Sequence, residues 1–360
     1  MAPYFLLFLI PTIIWIISDR VCLNAGNRIL YKTESLSMDV FMLFFLLMLS
    51  LRGLQCGNDT IQYSSWFDKY GVTSIQTMFE NQANEIGFKI LIRSVNIIAG
   101  NYQFFLAVTA LLCVCPLWYF YRKESEIPLL TIALFLTVAP FTMYFSGIRQ
   151  AISMAMGIPA WYAVKKRRII WFLTVVFLSM QFHTSAFMLL FLYPMYYAKI
   201  TKKWIWLVIP CIALVYVTRQ VIFDALLMFL WKDYEQTEET GAIMILLLLI
   251  IFSIYSYAVV DDEALDRDTM ALRNILLLSV VLQIFAMLHP LSMRMNYYFL
   301  IFLPILIPKI AKRANTKYKS VTELSVVVMI IFFYGYFIRN MLIDNDGLNI
   351  FPYIPFWENA

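Results

Sequence analysis

The feature that most constrains this chain is a series of apolar blocks without charge. Met1 to Ser18 carries no Asp, Glu, Lys or Arg, nor does Val40 to Leu51 or Ile127 to Ile148. Similar blocks recur to Ile338. A spanning helix needs about 20 apolar residues, and these blocks reach or approach that length. Over the whole chain 62% of residues are apolar and 14% charged. A soluble domain is nearer half apolar and a quarter charged. A core of that size could not be kept wet, so lipid is the expected solvent. The fold class is all-α: a polytopic integral membrane helix bundle of about 12 spans. Residues 1–360 form a single multi-span domain. The first block has no preceding basic residue and no small-residue cleavage site, so it reads as a retained first helix with its N-terminus outside.

The spans expected are 3–18, 38–51, 102–121, 127–146, 148–164, 169–182, 185–198, 204–218, 241–260, 274–289, 295–309 and 321–338. The stretch 86–99 is short and carries Lys89 and Arg93, so it reads as a re-entrant or interfacial segment. Lys and Arg collect on the cytoplasmic side of membrane proteins. With this alternation, 19 of the 28 basic residues fall on one side, including the run Lys165, Lys166, Arg167 and Arg168. That side is assigned to the cytoplasm. The long outer segments are then the loops 52–85 and 219–240 and the tail 339–360.

The basic residues left outside carry the functional signal. Arg52, Arg149, Arg294 and Arg339 stand at outer helix ends, as do the only two histidines, His183 and His289. Asp59 and Glu85 lie in the first outer loop. A charge at the edge of a membrane helix is costly unless paired, hydrated or used. Such groups from separate helices, gathered on one face, imply one polar outward-facing chamber.

Each motif also has a structural reading. In Arg52-Gly53-Leu54-Gln55-Cys56-Gly57-Asn58-Asp59, the Gly57-Asn58 pair permits a tight turn. Asp59 then either pairs with Arg52 to fix the loop, or acts as a base or sugar ligand while Arg52 binds an anion. Arg149 either snorkels to headgroups or binds phosphate through its bidentate fork, and Gln150 beside it favours the second. His183 either hydrogen-bonds locally or serves as acid, base or phosphate ligand. Arg294 divides evenly between snorkelling and substrate contact, with Tyr297 and Tyr298 able to line the chamber. The aromatics of Pro352 to Trp357 suit interface anchoring or stacking on sugars.

Several classes are excluded. The five cysteines are odd in number and irregularly spaced, so neither a disulfide framework nor a zinc site is implied. The net charge of +5 comes from basic loops rather than a basic domain, so no nucleic acid is expected. There is no P-loop and no G-x-G-x-x-G, and no cofactor or metal is called for.

These segments together resemble a known family. Arg52 to Tyr63 looks like the opening loop of the EpsG-type (Wzy-like) bacterial polysaccharide polymerases, and Glu85-Ile86-Gly87-Phe88 resembles their E-P-G-Y/F element. Ile148-Arg149-Gln150-Ala151 is similar to the I-R-Q segment, and Phe182-His183-Thr184-Ser185-Ala186 to F-H-x-S-A. Arg294 to Phe299 is similar to R-x-x-x-Y-F, and Pro352-Tyr353 to a terminal P-Y. Gly53 stands where an aromatic is common and Ile86 where Pro is common. The resemblance runs in order from about residue 38 onward.

The resemblance implies a glycosyltransferase of the bacterial inner (cytoplasmic) membrane with its active face outward. Its donor would be a glycan on undecaprenyl diphosphate, polymerised into capsule, exopolysaccharide or O-antigen. The implied catalytic residues are Asp59, His183 and Glu85. The implied substrate-binding residues are Arg52, Arg149, Gln150, His289, Arg294, Tyr298 and Arg339. The implied partners are the lipid-linked glycans and the bilayer, with a chain-length regulator and a flippase. The alternatives are an O-antigen ligase or other lipid-linked glycosyltransferase, and, from a different class, a lipid-linked oligosaccharide flippase.

Overall fold

The computed structural model describes residues 2–22, 27–80, 84–230, 242–343 and 347–358; of these, the side chains of 18–35, 79 and 226–230 are outside the description. Every regular element among the described residues is helical, and an isolated antiparallel bridge joins Arg52 to Pro355. The helices fall into two compact units, one of residues 1–187 with 327–360 and one of residues 188–326.

The first unit contains α1 (Ala2–Cys22), α2 (Asn27–Leu51), α3 (Thr60–Val72), α4 (Ile75–Glu80), α5 (Ile86–Ala99), α6 (Tyr102–Glu124), α7 (Pro128–Thr137), α8 (Met143–Ser146), α9 (Ile148–Ala155), α10 (Gly157–Lys165) and α11 (Ile169–Met180). A 3-10 helix, Thr184–Phe191, leads out of it. The second unit contains α12 (Leu192–Tyr197), α13 (Ile205–Leu230), α14 (Ala242–Ala258), α15 (Arg267–Ala286), α16 (Pro290–Leu300) and α17 (Leu303–Lys312). The helix α18 (Lys319–Leu342) carries the chain back to the first unit.

Tyr102–Glu124, Lys202–Ala225, Arg267–Ala286 and Thr316–Leu342 are long and apolar enough to cross a membrane. The pair α16 and α17, bent by 47°, makes a fifth if it is one broken span. Five further apolar helices are shorter, including Leu36–Leu51 and Ile169–Met180. The long straight spans expected at 127–146 and 295–309 are each broken in two. Pro140 lies in the first break, and Pro304, whose ring permits only the first turn of a helix, follows the second. The stretch 219–230, expected as the start of a loop, continues α13, and 231–241 lie outside the described residues. Arg20, Arg28 and Lys32 lie on helices whose side chains there are outside the description.

Lipid tails are as apolar as leucine, so helices in a bilayer associate by close packing and by polar contacts. In the first unit, aromatic rings supply the packing. Phe45 meets Phe135, Phe141 and Tyr144 at centroid distances of 5.4 to 5.6 Å. Tyr4 meets Phe351 edge-on at 4.7 Å. Such pairs add about 0.5–1.5 kcal/mol each beyond their buried area. The second unit is instead tied by polar side chains of α15. Gln283 donates to Ala242 O at 3.1 Å and accepts from Asn296 at 2.9 Å, and Asn274 donates to Met195 O and Ala198 O at 2.9 Å each. The last two carbonyls lie at the end of α12, where no following amide is available in the helix.

Candidate functional site

Two antiparallel helices of the first unit set the site. Ser153 on α9 donates to Ser179 O at 2.8 Å, and Ser179 on α11 donates to Ser153 O at 2.9 Å. This reciprocal pair pins the two helices together. Arg149 lies four residues before Ser153 and His183 four after Ser179, about one turn each. They therefore emerge at the same end of the hairpin.

α5 brings in the carboxylate. A Cβ on Gly87 would lie 2.8 Å from both Cβ and O of Gln181, so only glycine permits this approach to the end of α11. The Phe88 amide bonds Gln181 O at 3.3 Å. Glu85, at the N-cap of α5, then stands between two partners. Its Oε2 accepts from Arg149 Nη1 at 2.6 Å, and its Oε1 accepts from the Thr184 amide at 3.2 Å. The Arg149 and Glu85 side chains keep 23% and 17% exposure, so water reaches this pair.

α3 closes the other side. The Arg149 guanidinium lies over the Trp66 ring, 5.2 Å from its centroid, and interacts with the Tyr63 hydroxyl. Its Nε has no hydrogen-bond partner. Burial raises the Tyr63 hydroxyl above its ordinary value, with Arg149 opposing and Asp59 adding to the rise. Rings beneath support this face: Tyr63 meets Trp66 at 5.4 Å and Phe88 at 5.5 Å.

Asp59 sits at the N-cap of α3, one turn before Tyr63, yet its side chain makes no capping bond. The carboxylate is half-buried and not used up by its own helix. Its loop is held from two directions. Gly57, at φ +100°, would press a Cβ into Phe145 O, and the Asp59 amide donates to Ser146 Oγ at 3.4 Å. The segment 347–355 pairs along the loop: Gly53 N to Ile354 O at 2.8 Å, and Gly57 N to Asn349 O and Asn58 N to Leu348 O at 2.9 Å. His183 is half-buried. The Ser185 amide donates to its Nδ1 at 3.3 Å, and an amide can only donate. In the neutral ring the proton is therefore on Nε2, which makes His183 a donor rather than a base.

The structure thus brings Asp59, Glu85, Arg149 and His183 to one end of the first unit, with Tyr63 and Trp66 as walls. Sequence reasoning did not count Tyr63 or Trp66 as site residues; their i, i+3 spacing on one helical face was the available signal. Other expected residues stand elsewhere. Arg52 is buried and donates to Leu49 O at 2.9 Å rather than pairing with Asp59, which corrects the Arg52–Asp59 pair. Gln150 is buried too, because one step along a helix turns a side chain by about 100°. Arg339 is exposed and meets Asn340 Oδ1 at 3.5 Å. Tyr353 donates to Met48 O at 3.0 Å and Phe351 is buried, so these two tail aromatics serve packing. In the second unit, His289 caps α16 by accepting from the Leu291 amide at 3.0 Å, Arg294 is exposed, and Tyr298 is in the core. No cluster of three or more His, Cys, Asp or Glu able to hold a metal occurs among the described residues.

Comparison with known proteins decides the family. The EpsG family model matches residues 37–354. The chain belongs to the EpsG family. Neither a curated protein nor a solved structure matches the chain. Membership in the EpsG family, with these apolar helices, makes it a membrane protein of polysaccharide-polymerase type.

Proposed function

We propose that this EpsG-family protein joins oligosaccharide repeat units carried on undecaprenyl diphosphate, at the outer face of the bacterial inner membrane. The product is a capsule, exopolysaccharide or O-antigen. In each cycle the acceptor hydroxyl oxygen bonds the anomeric carbon of the growing chain. The bond from that carbon to the diphosphate breaks, and undecaprenyl diphosphate leaves with the electron pair. The hydroxyl proton passes to a base.

The observation that carries this reading is the Arg149–Glu85 pair at 2.6 Å, open to water and walled by Trp66. A guanidinium with an unused Nε and a neighbouring carboxylate is suited to take up the charge of a leaving diphosphate. Glu85 holds Arg149 and the Thr184 amide, which makes it the positioning group. Asp59, with an uncommitted carboxylate, is the base. His183, with its proton on Nε2, donates to a phosphate oxygen or sugar hydroxyl. No nucleotide sugar is needed.

About twelve spans, with the shorter apolar helices crossing in bent pairs, put this site outside and the Lys165–Arg168 turn in the cytoplasm. Reporter fusions at Asn58 and Lys166 test that; a cytoplasmic signal at Asn58 removes the proposal. The first functional test is the length distribution of surface and lipid-linked glycan in a strain lacking the gene, with and without its restoration. Collapse of long chains to single repeat units, reversed on restoration, is the expected result. Long polymer persisting on its lipid carrier would indicate a ligase, and absence of glycan from the outer face would indicate a flippase.

A further inference from the structure

The other end of the same hairpin holds a second concavity. α9 and α10 are nearly continuous through Met156, so Lys165 lies roughly 24 Å of helix beyond Arg149. Between the second half of α6 and the α10–α11 turn there is a cavity of about 500 Å³. That volume is within the range of small-molecule sites. Four cations line it, Lys123, Lys165, Lys166 and Arg168, and its lining contains no carboxylate.

These charges are arranged rather than merely exposed. The Lys123 ammonium stands 5.4 and 4.9 Å from the ring centroids of Tyr119 and Tyr162, and donates to Tyr119 Oη at 3.3 Å. The turn closes on Arg167 at φ 54°, a left-handed position that normally falls to glycine. Its amide reaches Val164 O and that of Arg168 reaches Ala163 O, at 2.9 Å each. This closure gathers Lys165, Lys166 and Arg168 around the cavity. Trp171 and Tyr119, each 56% exposed, flank it with rings of the kind found at the bilayer–water boundary.

We propose that this concavity binds the phosphate of an anionic phospholipid headgroup. Scattered basic loop residues would satisfy the positive-inside rule without sharing a cavity, whereas four cations facing one concavity repel each other until an anion enters. A basic pocket between membrane helices is the form that headgroup recognition takes. The aromatic flanks favour a ligand at the boundary of the bilayer over one free in water, although a free phosphate offers the same charge. This site is separate from the polymerase reading and stands or falls without it.

The test uses the full chain, purified in neutral detergent, with phosphatidylglycerol and phosphatidylcholine offered in equal amounts and retention read by native mass spectrometry. Wild type should prefer phosphatidylglycerol, and each lost cation should reduce that preference by roughly fivefold. The Lys166→Gln/Arg168→Gln double variant should lose most of it, and Lys166→Arg should retain it. If the double variant elutes as a folded species with wild-type preference, or wild type retains both lipids equally, the proposal is overturned. An equal loss in Lys317→Gln/Lys319→Gln would show general surface charge and also overturn it. Millimolar inorganic phosphate that displaces the lipid would assign the site to a free phosphate instead. Should the double variant fail to fold, Lys123→Gln alone supplies the same readings.

Discussion

Arg149 in the first unit and Arg273 in the second are built from the same three parts. Each meets one carboxylate and one aromatic ring: Glu85 at 2.6 Å with Trp66 at 5.2 Å, and Asp262 at 2.5 Å with Tyr257 at 3.9 Å. The difference is water. The Arg273 side chain has 0% exposure, and also donates to Ile200 O at 3.1 Å, so it ties two loops of its unit together. Arg149 keeps 23% exposure, and its carboxylate partner spends its other oxygen on a loop amide. A sealed pair is a strut whose breakage leaves a charge buried. An open pair can exchange its partner for a ligand.

The largest expected effect is Arg149→Ala. Long-chain glycan should fall at least ~100-fold while the amount of protein in the membrane stays near wild type. Wild-type chain lengths in that variant would break the comparison, because Arg149 would then be a second strut. Next comes Asp59→Asn, for which polymer formation should drop roughly 10²–10⁴-fold, as removal of a general base requires. Asp59→Glu should recover part of it. Full activity in Asp59→Asn would move the base elsewhere.

Arg273→Ala should behave in the opposite way. Removing one partner of a sealed pair costs about 3–5 kcal/mol, so the protein should melt earlier and accumulate less, with glycan falling only in proportion. Chain shortening without loss of protein would show that Arg273 also works on substrate. The smallest effect concerns Asp266, which caps α15 by accepting from the Thr269 amide at 2.7 Å. Partial burial raises its carboxyl, but the Thr269 bonds and the Arg313 charge outweigh this and hold it below the usual range. A depressed folded value gives stability that is present above about pH 3.9 and lost as pH falls through the folded value. Asp266→Asn should therefore flatten the acid side of the melting-temperature profile slightly. An unchanged acid limb would remove this contribution.

The membrane character, the segments of the site and its segregation at helix ends were legible in the sequence, because uncharged blocks and interrupting polar motifs are local signals. The direction of each side chain was not. Arg149 and Gln150 are neighbours in sequence, yet one faces the site and the other the core, and only the partner helices decide which. Arg52 turns inward because the segment 347–355 lies along its loop, a pairing that no local pattern announces. Helix α3 was hidden inside what read as a loop, since Thr60–Val72 mixes polar residues with no single apolar stripe. The breaks near Pro140 and Pro304 show the reverse error: apolar length suggested one span where the backbone divides it.

The pairing of residue 53 with residue 354 has a consequence for the order of assembly. At 5–20 residues per second, roughly 15–60 s of synthesis separate the two partners. Throughout that interval the first outer loop has emerged but lacks its brace, and Asp59 has no fixed position. The newborn enzyme is thus inert by construction until residues 347–355 have reached the same side of the membrane.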